Sequence, residues 1–185
     1  MNTSAQIANF LSVAIVGFTA YLLWKKQRGE AGDSPAASDG GTTTTSSYPN
    51  PNGVSRGYRN NNPLNIEYSP STVWQGEIRP SGDSRFAQFT ALEYGYRAAF
   101  KTLNTYMTKY GLTTLQQIIG RWDSAAVTNY VNFICSKTGW TPETTFAPTD
   151  KVQLIELVYN MAWMENGFKP KLSDVSAGWN LYQMT

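Results

Sequence analysis

Histidine is absent from this 185-residue chain, and cysteine occurs once, as Cys135. Without histidine, Ser-His-Asp and Cys-His catalysis and histidine-ligated metals are excluded. One cysteine cannot form an internal disulfide or a cysteine cluster. Cys135 lies in an apolar stretch, which predicts an inert core residue. The chemistry that remains is mainly that of carboxylates, and we expect neither a metal nor a cofactor.

Charged residues are also scarce, since Asp, Glu, Lys and Arg make up 15% of the chain and leave a formal net charge of +2. A chain without a strong basic field gives no reason to expect a nucleic-acid partner. Apolar residues make up 41% of the chain, which is enough for one globular domain of about 100–150 residues. Six Trp and eleven Tyr favour a well-filled core, with aromatics left over to stack on sugar rings.

The one long apolar run lies near the N-terminus, from residue 7 to residue 24, and carries no charge. A helix over this run would be roughly 27 Å long, just enough to cross the core of a bilayer. Lys25, Lys26 and Arg28 follow the run, whereas a cleaved signal peptide carries its positive charge before it. Residues 1–29 are therefore predicted to be a retained single-pass anchor that contacts the lipid bilayer through residues 7–24.

The segment that follows, residues 30–55, is rich in Gly, Ser, Thr, Pro, Ala and Asn. Apart from Tyr48 it has almost no large apolar residue, so it cannot bury enough surface to offset the entropy of ordering it. It is predicted to be a flexible linker between the anchor and a globular domain that occupies residues 56–185.

The first part of the predicted domain is dense in asparagine and turns. The run from Arg56 to Ile66 contains Pro63 and predicts a turn network that closes the domain entrance. Its Asn side chains are also candidates for hydrogen bonds to sugar hydroxyl and N-acetyl groups. Short extended pieces between Trp74 and Phe89 predict a small β-hairpin or flap.

Five helices are predicted after this flap. A capping box of Thr90 and Glu93 opens the first, which Gly111 ends. The fourth has Val152 on its inward face and ends at Glu165. The later helices are expected to open at Thr113, at Ser124, at Thr149 or Asp150, and at about Ser173. The predicted fold class is therefore mainly α (α+β), with a small β-hairpin.

Glu165 is the candidate catalytic residue, because it lies in the last turn of an apolar helix and the run Gly-Phe-Lys-Pro begins two residues after it. Apolar surroundings favour the protonated form of a carboxyl group, which a general acid requires. A glutamate at a helix C-terminus also opposes the helix dipole, at a cost of about 0.3–1 kcal/mol. The alternative is a solvent-exposed carboxylate at a helix end, without a catalytic role.

Further site residues are predicted less directly. Glu77 and Asp83 are candidates for a second catalytic carboxylate, with a solvated loop charge as the alternative for each. Candidates for substrate contacts are Asn62, Asn65 and Tyr130. Candidates for an aromatic stacking wall are Trp74, Trp122 and Trp163, for each of which core packing is the alternative.

Two sets of motifs carry a family resemblance. The hexapeptide from Glu165 to Pro170, Glu-Asn-Gly-Phe-Lys-Pro, is similar to the Glu-Ser-Gly-Phe-x-Pro signature of lytic transglycosylases in the lysozyme-like superfamily. The runs 61–66, 74–76 and 86–89 resemble the Asn-Leu-Phe-Gly-Ile, Trp-x-Gly and Phe-x-x-Tyr/Phe series of cell-wall glucosaminidases. The first of these runs also resembles the Asn-Asn-Asn-Pro-x-Asn-Ile domains of phage virion proteins.

The order of these motifs differs from that in the enzymes, where the catalytic glutamate precedes the Asn-rich and Trp-Gly motifs. A lysozyme-like domain with this order would be a circular permutation, with the glutamate helix moved to the C-terminus. In the family the glutamate is the general acid/base, which implies that role for Glu165. A transglycosylase needs no second carboxylate, because the 6-hydroxyl of the substrate attacks and leaves a 1,6-anhydro end.

The resemblance implies a membrane-anchored, virion-associated peptidoglycan hydrolase of the lytic transglycosylase type, which cuts β-1,4 bonds during phage entry. The expected partners are peptidoglycan glycan strands, the bilayer and other virion proteins, and the expected location is a virion internal membrane or the host inner membrane. The positive charges that follow the anchor predict that the chain after it lies on the cytoplasmic side of the membrane. This orientation suits a virus that takes its membrane from the host. Two alternatives remain: an inactive structural or glycan-binding virion protein that links membrane and capsid, and a host inner-membrane protein that remodels the wall.

Overall fold

The structure, a computed structural model, describes residues 54–184. The predicted anchor and almost all of the predicted linker lie outside the described residues. Among the helices of residues 54–184, none combines the length and the apolar character that crossing a membrane requires.

The described part of the chain is mainly helical, with a small two-stranded antiparallel sheet. Strand β1 (Glu77–Ile78) pairs with β2 (Gln88–Phe89), which confirms the predicted hairpin. The helices between residues 54 and 184 are α1 (Arg56–Arg59), α2 (Leu92–Tyr110), α3 (Leu115–Trp122), α4 (Val127–Thr138), α5 (Lys151–Asn166) and α6 (Leu172–Gln183). The five predicted helices are α2 to α6, and the one-turn helix α1 lies where the sequence predicted turns alone.

Helices α2, α5 and α6 form the centre of the core. On α2, Tyr96, Phe100 and Leu103 recur at helical spacing and are at most 1% exposed. Helix α6 packs on this face, with the ring of Trp179 edge-on to that of Phe100 at 5.2 Å. The buried residues of α5 are Leu154, Leu157, Val158, Asn160, Met161, Ala162 and Met164. The helix that carries Glu165 is therefore anchored along most of its length.

The predicted capping box at Thr90 is wrong. Helix α2 begins at Leu92, after Ala91, and no side chain caps its first turn. The backbone N–H of Thr90 instead donates to the carbonyl of Gly76 at 2.9 Å. Thr90 thus continues the pairing of the β-flap, and this longer-range bond outweighs the local capping preference. A capping box does form at the start of α3, between Thr114 and Gln117, one residue after the predicted Thr113.

Two further details of the helices differ from prediction. Helix α4 begins at Val127, after Ala126, and not at Ser124. Val152 is 77% exposed, although the sequence placed it inward. At about 100° of rotation per residue, Val152 lies on the opposite side of α5 from Met161, which is fully buried. Of the two starts predicted for α5, Thr149 and Asp150, the structure has Asp150, whose carboxylate accepts from the N–H of Gln153 at 3.0 Å.

Two helical glycines offer a matched test of the packing between α2 and α6. A Cβ added at Gly178 of α6 would lie 2.3 Å from the Cβ of Tyr96, whereas one at Gly120 of α3 would meet nothing within 4 Å. We expect Gly178→Ala to lower the free energy of unfolding by about 1–3 kcal/mol, despite the better helix propensity of alanine. Gly120→Ala should raise it by about 0.5–1 kcal/mol. Urea denaturation followed by Trp fluorescence measures both, and a stabilised Gly178→Ala would contradict the close helix contact.

Candidate functional site

The side chain of Asn166 fixes the end of α5 to the Asn-rich run from Arg56 to Ile66, which we call the Asn-rich entrance. Its amide nitrogen donates to the carbonyls of Pro63 and of Ala162, each at 2.7 Å. Its amide oxygen accepts a hydrogen bond from the Ser55 hydroxyl at 2.6 Å. Gly167 then ends the helix in the left-handed conformation, with φ of 78°. The bonds with Pro63 and Ser55 join residues more than a hundred positions apart in sequence and set the place of the neighbouring Glu165.

The rest of the Glu-Asn-Gly-Phe-Lys-Pro hexapeptide also holds the chain against α1. The ring of Phe168 packs at 4.9 Å from that of Tyr58, and Pro170 is buried. A Cβ added at Gly57 would lie 2.7 Å from Oδ1 of Asn166 and 2.9 Å from the carbonyl oxygen of Asn62. Helix α1 can therefore approach the end of α5 this closely because Gly57 has no side chain.

Asn65 makes the direct contact with the candidate acid. Its amide nitrogen donates to Oε2 of Glu165 at 3.0 Å, across a separation of 100 residues. The backbone of Asn65 is left-handed, with φ of 51°, a conformation that Asn tolerates better than most residues. The contact orients the Glu165 carboxyl group, which is half-buried at the end of α5.

Glu165 and Asn65 line a groove with a volume of about 490 Å³. The groove also receives side chains from the flap, from α2 and α3, and from the turn between α3 and α4. Tyr106 and Trp122 contribute a pair of aromatic rings whose centroids lie 6.3 Å apart. The lining residues are Leu64, Asn65, Ile66, Glu67, Trp74, Arg85, Phe86, Thr102, Tyr106, Arg121, Trp122, Asp123, Ser124, Ala125 and Glu165.

The fold thus brings four of the predicted site residues together in one groove. They are Glu165, Asn65 and two candidates for the stacking wall, Trp74 and Trp122. Trp163 is not among the lining residues, and its ring packs edge-on against that of Phe133 at 5.5 Å.

Asn62 and Tyr130, both predicted to contact substrate, lie in the core instead. Asn62 is fully buried, and its side chain bonds the backbone of Ile66 and the carbonyl of Ala87 at 2.8–2.9 Å. Tyr130 is also fully buried, and its hydroxyl donates to the carbonyl of Met161 at 3.3 Å. The structure gives both side chains packing and hydrogen-bonding roles that leave no surface for a substrate.

Glu77, predicted as a second catalytic carboxylate, lies in the β-flap and does not line the groove. Its side chain is completely buried and lies 3.1 Å from the guanidinium of Arg79. The backbone N–H of Trp74 donates to the same carboxylate at 2.9 Å. Glu77 therefore closes the turn that carries Trp74. It supports a residue of the groove but is not itself one of the lining residues.

Asp83, the other candidate for a second carboxylate, also has structural partners. Arg56 contacts both of its oxygens at 2.7 Å, and Asn60 donates to it at 2.8 Å. Burial acts to raise the pKa of this carboxyl, but these bonds and those from the N–H groups of Phe86 and Arg85 outweigh it and hold the pKa well below its usual range. A carboxylate that stays ionised in this way cannot serve as a general acid near neutral pH.

The groove residues that sequence reasoning missed include Arg121, in the last turn of α3, and Asp123, which follows that helix. The carboxylate of Asp123 accepts from the N–H of Ala125 at 3.2 Å. The only local signal was their position beside Trp122, which was itself a candidate. Among residues 54–184, no group of three or more Asp, Glu or Cys side chains is placed to hold a metal ion.

Cys135 is half-buried at the edge of α4, so the predicted core position is only partly correct. Burial raises the pKa of its thiol, which keeps the thiol protonated near neutral pH. A protonated thiol is a poor nucleophile, in agreement with the prediction that this residue is inert.

Comparison with known proteins gives one informative similarity. No family model matches the chain. The chain is similar to Protein P5 of Pseudoalteromonas phage PM2, with 41% identity over 93 residues. The matched region covers 48% of this chain and 58% of the phage protein. The chain therefore resembles part of a bacteriophage protein.

Proposed function

We propose that this chain cleaves the glycan strands of bacterial peptidoglycan, with Glu165 as the general acid/base. The observation that carries the proposal is the position of Glu165 in a groove with Asn65, Trp74 and Trp122. A carboxyl group that is oriented by an amide, in a groove that two indole rings also line, suits a sugar substrate, because sugar rings stack on aromatic faces while the acid reaches the bond between them.

The reaction follows from the place of this carboxyl group. Glu165 donates its proton to the glycosidic oxygen as the bond between that oxygen and the anomeric carbon breaks. In the transglycosylase route, the 6-hydroxyl of the same sugar then attacks the anomeric carbon and returns its proton to Glu165. The products are a free 4-hydroxyl on one strand and a 1,6-anhydro end on the other. No second carboxylate takes part, in keeping with the structural roles of Glu77 and Asp83.

The fold behind this proposal is a circularly permuted lysozyme-like domain. Its support is the return of the C-terminal Glu165 segment to the Asn-rich entrance, through the bonds of Asn166 and Asn65. A permuted domain of this kind requires that approach, because the Glu165 segment and the Asn-rich entrance lie about a hundred residues apart in the sequence.

The setting we propose is a phage virion, with the chain held at a membrane by residues 7–24. The similarity to a protein of phage PM2 supports a phage origin, and the charge pattern of residues 1–29 supports the anchor. The domain would then act on the cell wall during entry. The second candidate function is a glycan-binding virion protein without activity, which the aromatic wall of Tyr106 and Trp122 would serve equally well.

Purified sacculi separate these two functions. We expect the full chain, in detergent, to release soluble muropeptides from sacculi, and mass spectrometry to find 1,6-anhydro ends on the products. Retention of the chain on sacculi without any release would support the binding protein and contradict the enzyme. Reducing ends in place of anhydro ends would contradict the transglycosylase route alone.

A further inference from the structure

Arg121 is the groove residue whose role the proposed reaction leaves unexplained. It lies in the last turn of α3 and lines the groove that contains Glu165. Its guanidinium carbon is 4.0 Å from the ring centroid of Tyr110 and 5.2 Å from that of Tyr106. Two aromatic faces therefore hold this cation at the groove.

The two arginines of the groove differ in their partners. Arg85 pairs with the carboxylate of Glu67 at 2.8 Å. Arg121 has contacts with aromatic rings but no hydrogen bond or ion pair within residues 54–184. Contact with a ring face leaves the N–H donors at the edge of a guanidinium available, and these donors match the two oxygens of a carboxylate. Arg121 is thus an oriented cation with available donors in the same groove as the candidate acid.

We infer that Arg121 binds a carboxylate of the glycan strand and selects acidic over neutral β-1,4 glycans. This inference rests on the proposed function. Peptidoglycan strands carry carboxylates of two kinds: the lactyl ether of every second sugar bears one where no stem peptide is attached, and the stem peptide bears them where the lactyl group is amide-linked to it. The shared chemistry is a carboxylate on a glycan, and Arg121 would fix the register of the strand relative to Glu165. It is a specificity-determining residue and takes no part in proton transfer.

The test measures binding alone, with the full chain carrying Glu165→Gln so that the strands stay intact. Calorimetry would compare peptide-free strands with free lactyl carboxylates, the same strands after amidation, and peptide-bearing strands. We expect an acidic strand to bind about tenfold more tightly than the amidated one, because one charge-assisted hydrogen bond contributes about that much to affinity. Arg121→Gln should remove this preference, Arg121→Lys should keep part of it, and the exposed control Lys151→Gln should keep all of it.

The outcomes separate the two carboxylate sources and the two proposals. A dependence on Arg121 with peptide-free strands identifies the lactyl group, and a dependence with peptide-bearing strands alone identifies the stem peptide. Equal affinity for acidic and amidated strands would overturn the inference, as would an equal loss of affinity for both in Arg121→Gln. Selective binding without cleavage by the unsubstituted chain would support the inference and contradict the enzyme. Thermal melting of each variant checks the fold.

Discussion

Replacement of Glu165 by glutamine is expected to reduce the release of muropeptides from sacculi by about 10²–10⁴-fold, the usual contribution of a general acid. Glutamine has the same shape and can still accept the hydrogen bond that Asn65 donates to Oε2. The groove and the fold should therefore persist, and only the transferable proton is lost. Release rates, with circular dichroism and thermal melting of the same sample, measure the effect.

Glu156→Gln provides the matched control, because it makes the same substitution on the same helix at an exposed position. It should retain the activity of the unsubstituted chain. Equal activity of Glu165→Gln and the unsubstituted chain would remove Glu165 from the reaction, even if sacculi are cleaved. Retained binding of sacculi by the inactive Glu165→Gln variant would show that the substitution affects the chemical step and not the binding of the strand.

Replacement of Asn62 by leucine is expected to lower the free energy of unfolding by about 3–5 kcal/mol. Asn62 donates to the carbonyls of Ile66 and Ala87 and accepts from the N–H of Ile66, and it is completely buried. Leucine has a similar size but removes all three bonds. The N–H of Ile66 and the carbonyl of Ala87 then lose their partner away from water, whereas the carbonyl of Ile66 still accepts from the N–H of Ala87 at 3.0 Å. Urea denaturation followed by Trp fluorescence gives the change.

This substitution should also weaken the candidate site. The N–H of Asn65 donates to the carbonyl of Asn62 at 2.9 Å, so the turn that Asn62 holds is the turn that aims Asn65 at Glu165. Asn132→Leu, at an exposed position of α4, is the control and should change stability by no more than about 0.5 kcal/mol. Similar small changes for both variants would contradict the buried hydrogen-bonding role of Asn62.

Much of the helical structure follows from local signals in the sequence. Gly111 ends α2 in the left-handed conformation, as predicted, and Gly139 ends α4 in the same way, because glycine adopts positive φ without a steric penalty. Asp150 caps α5 because its carboxylate reaches an N–H group of the first turn. Such contacts span three or four residues, so neighbours in the sequence are enough to predict them.

The exact helix starts depended on contacts that are not local. Thr90 had the pattern of a cap, but its N–H pairs with Gly76 of the flap and α2 starts later. Val152 had the apolar character of an inward residue, but the buried stripe of α5 faces the other way. In each case a bond or packing surface from a distant part of the chain outweighed a preference worth about 1 kcal/mol or less.

The choice between neighbouring polar residues was likewise made by the fold. Asn62 and Asn65 looked equivalent in the sequence, yet one supports backbone groups in the core and the other meets Glu165 in the groove. Glu77 looked like a loop charge or a catalytic group, and it is buried beside Arg79. Arg121 carried no signal beyond its position beside Trp122, because its place in the groove depends on how α3 packs beside α2.

The amino-acid sequence by itself determined the absence of histidine, the mainly helical domain with its flap, and Glu165 at the end of an apolar helix, because composition and short-range backbone preferences encode these features. The tertiary structure alone decided which side chains share a groove with Glu165. That choice depends on bonds such as those of Asn166 and Asn65, which join residues a hundred positions apart, and short-range preferences contain no information about such partners.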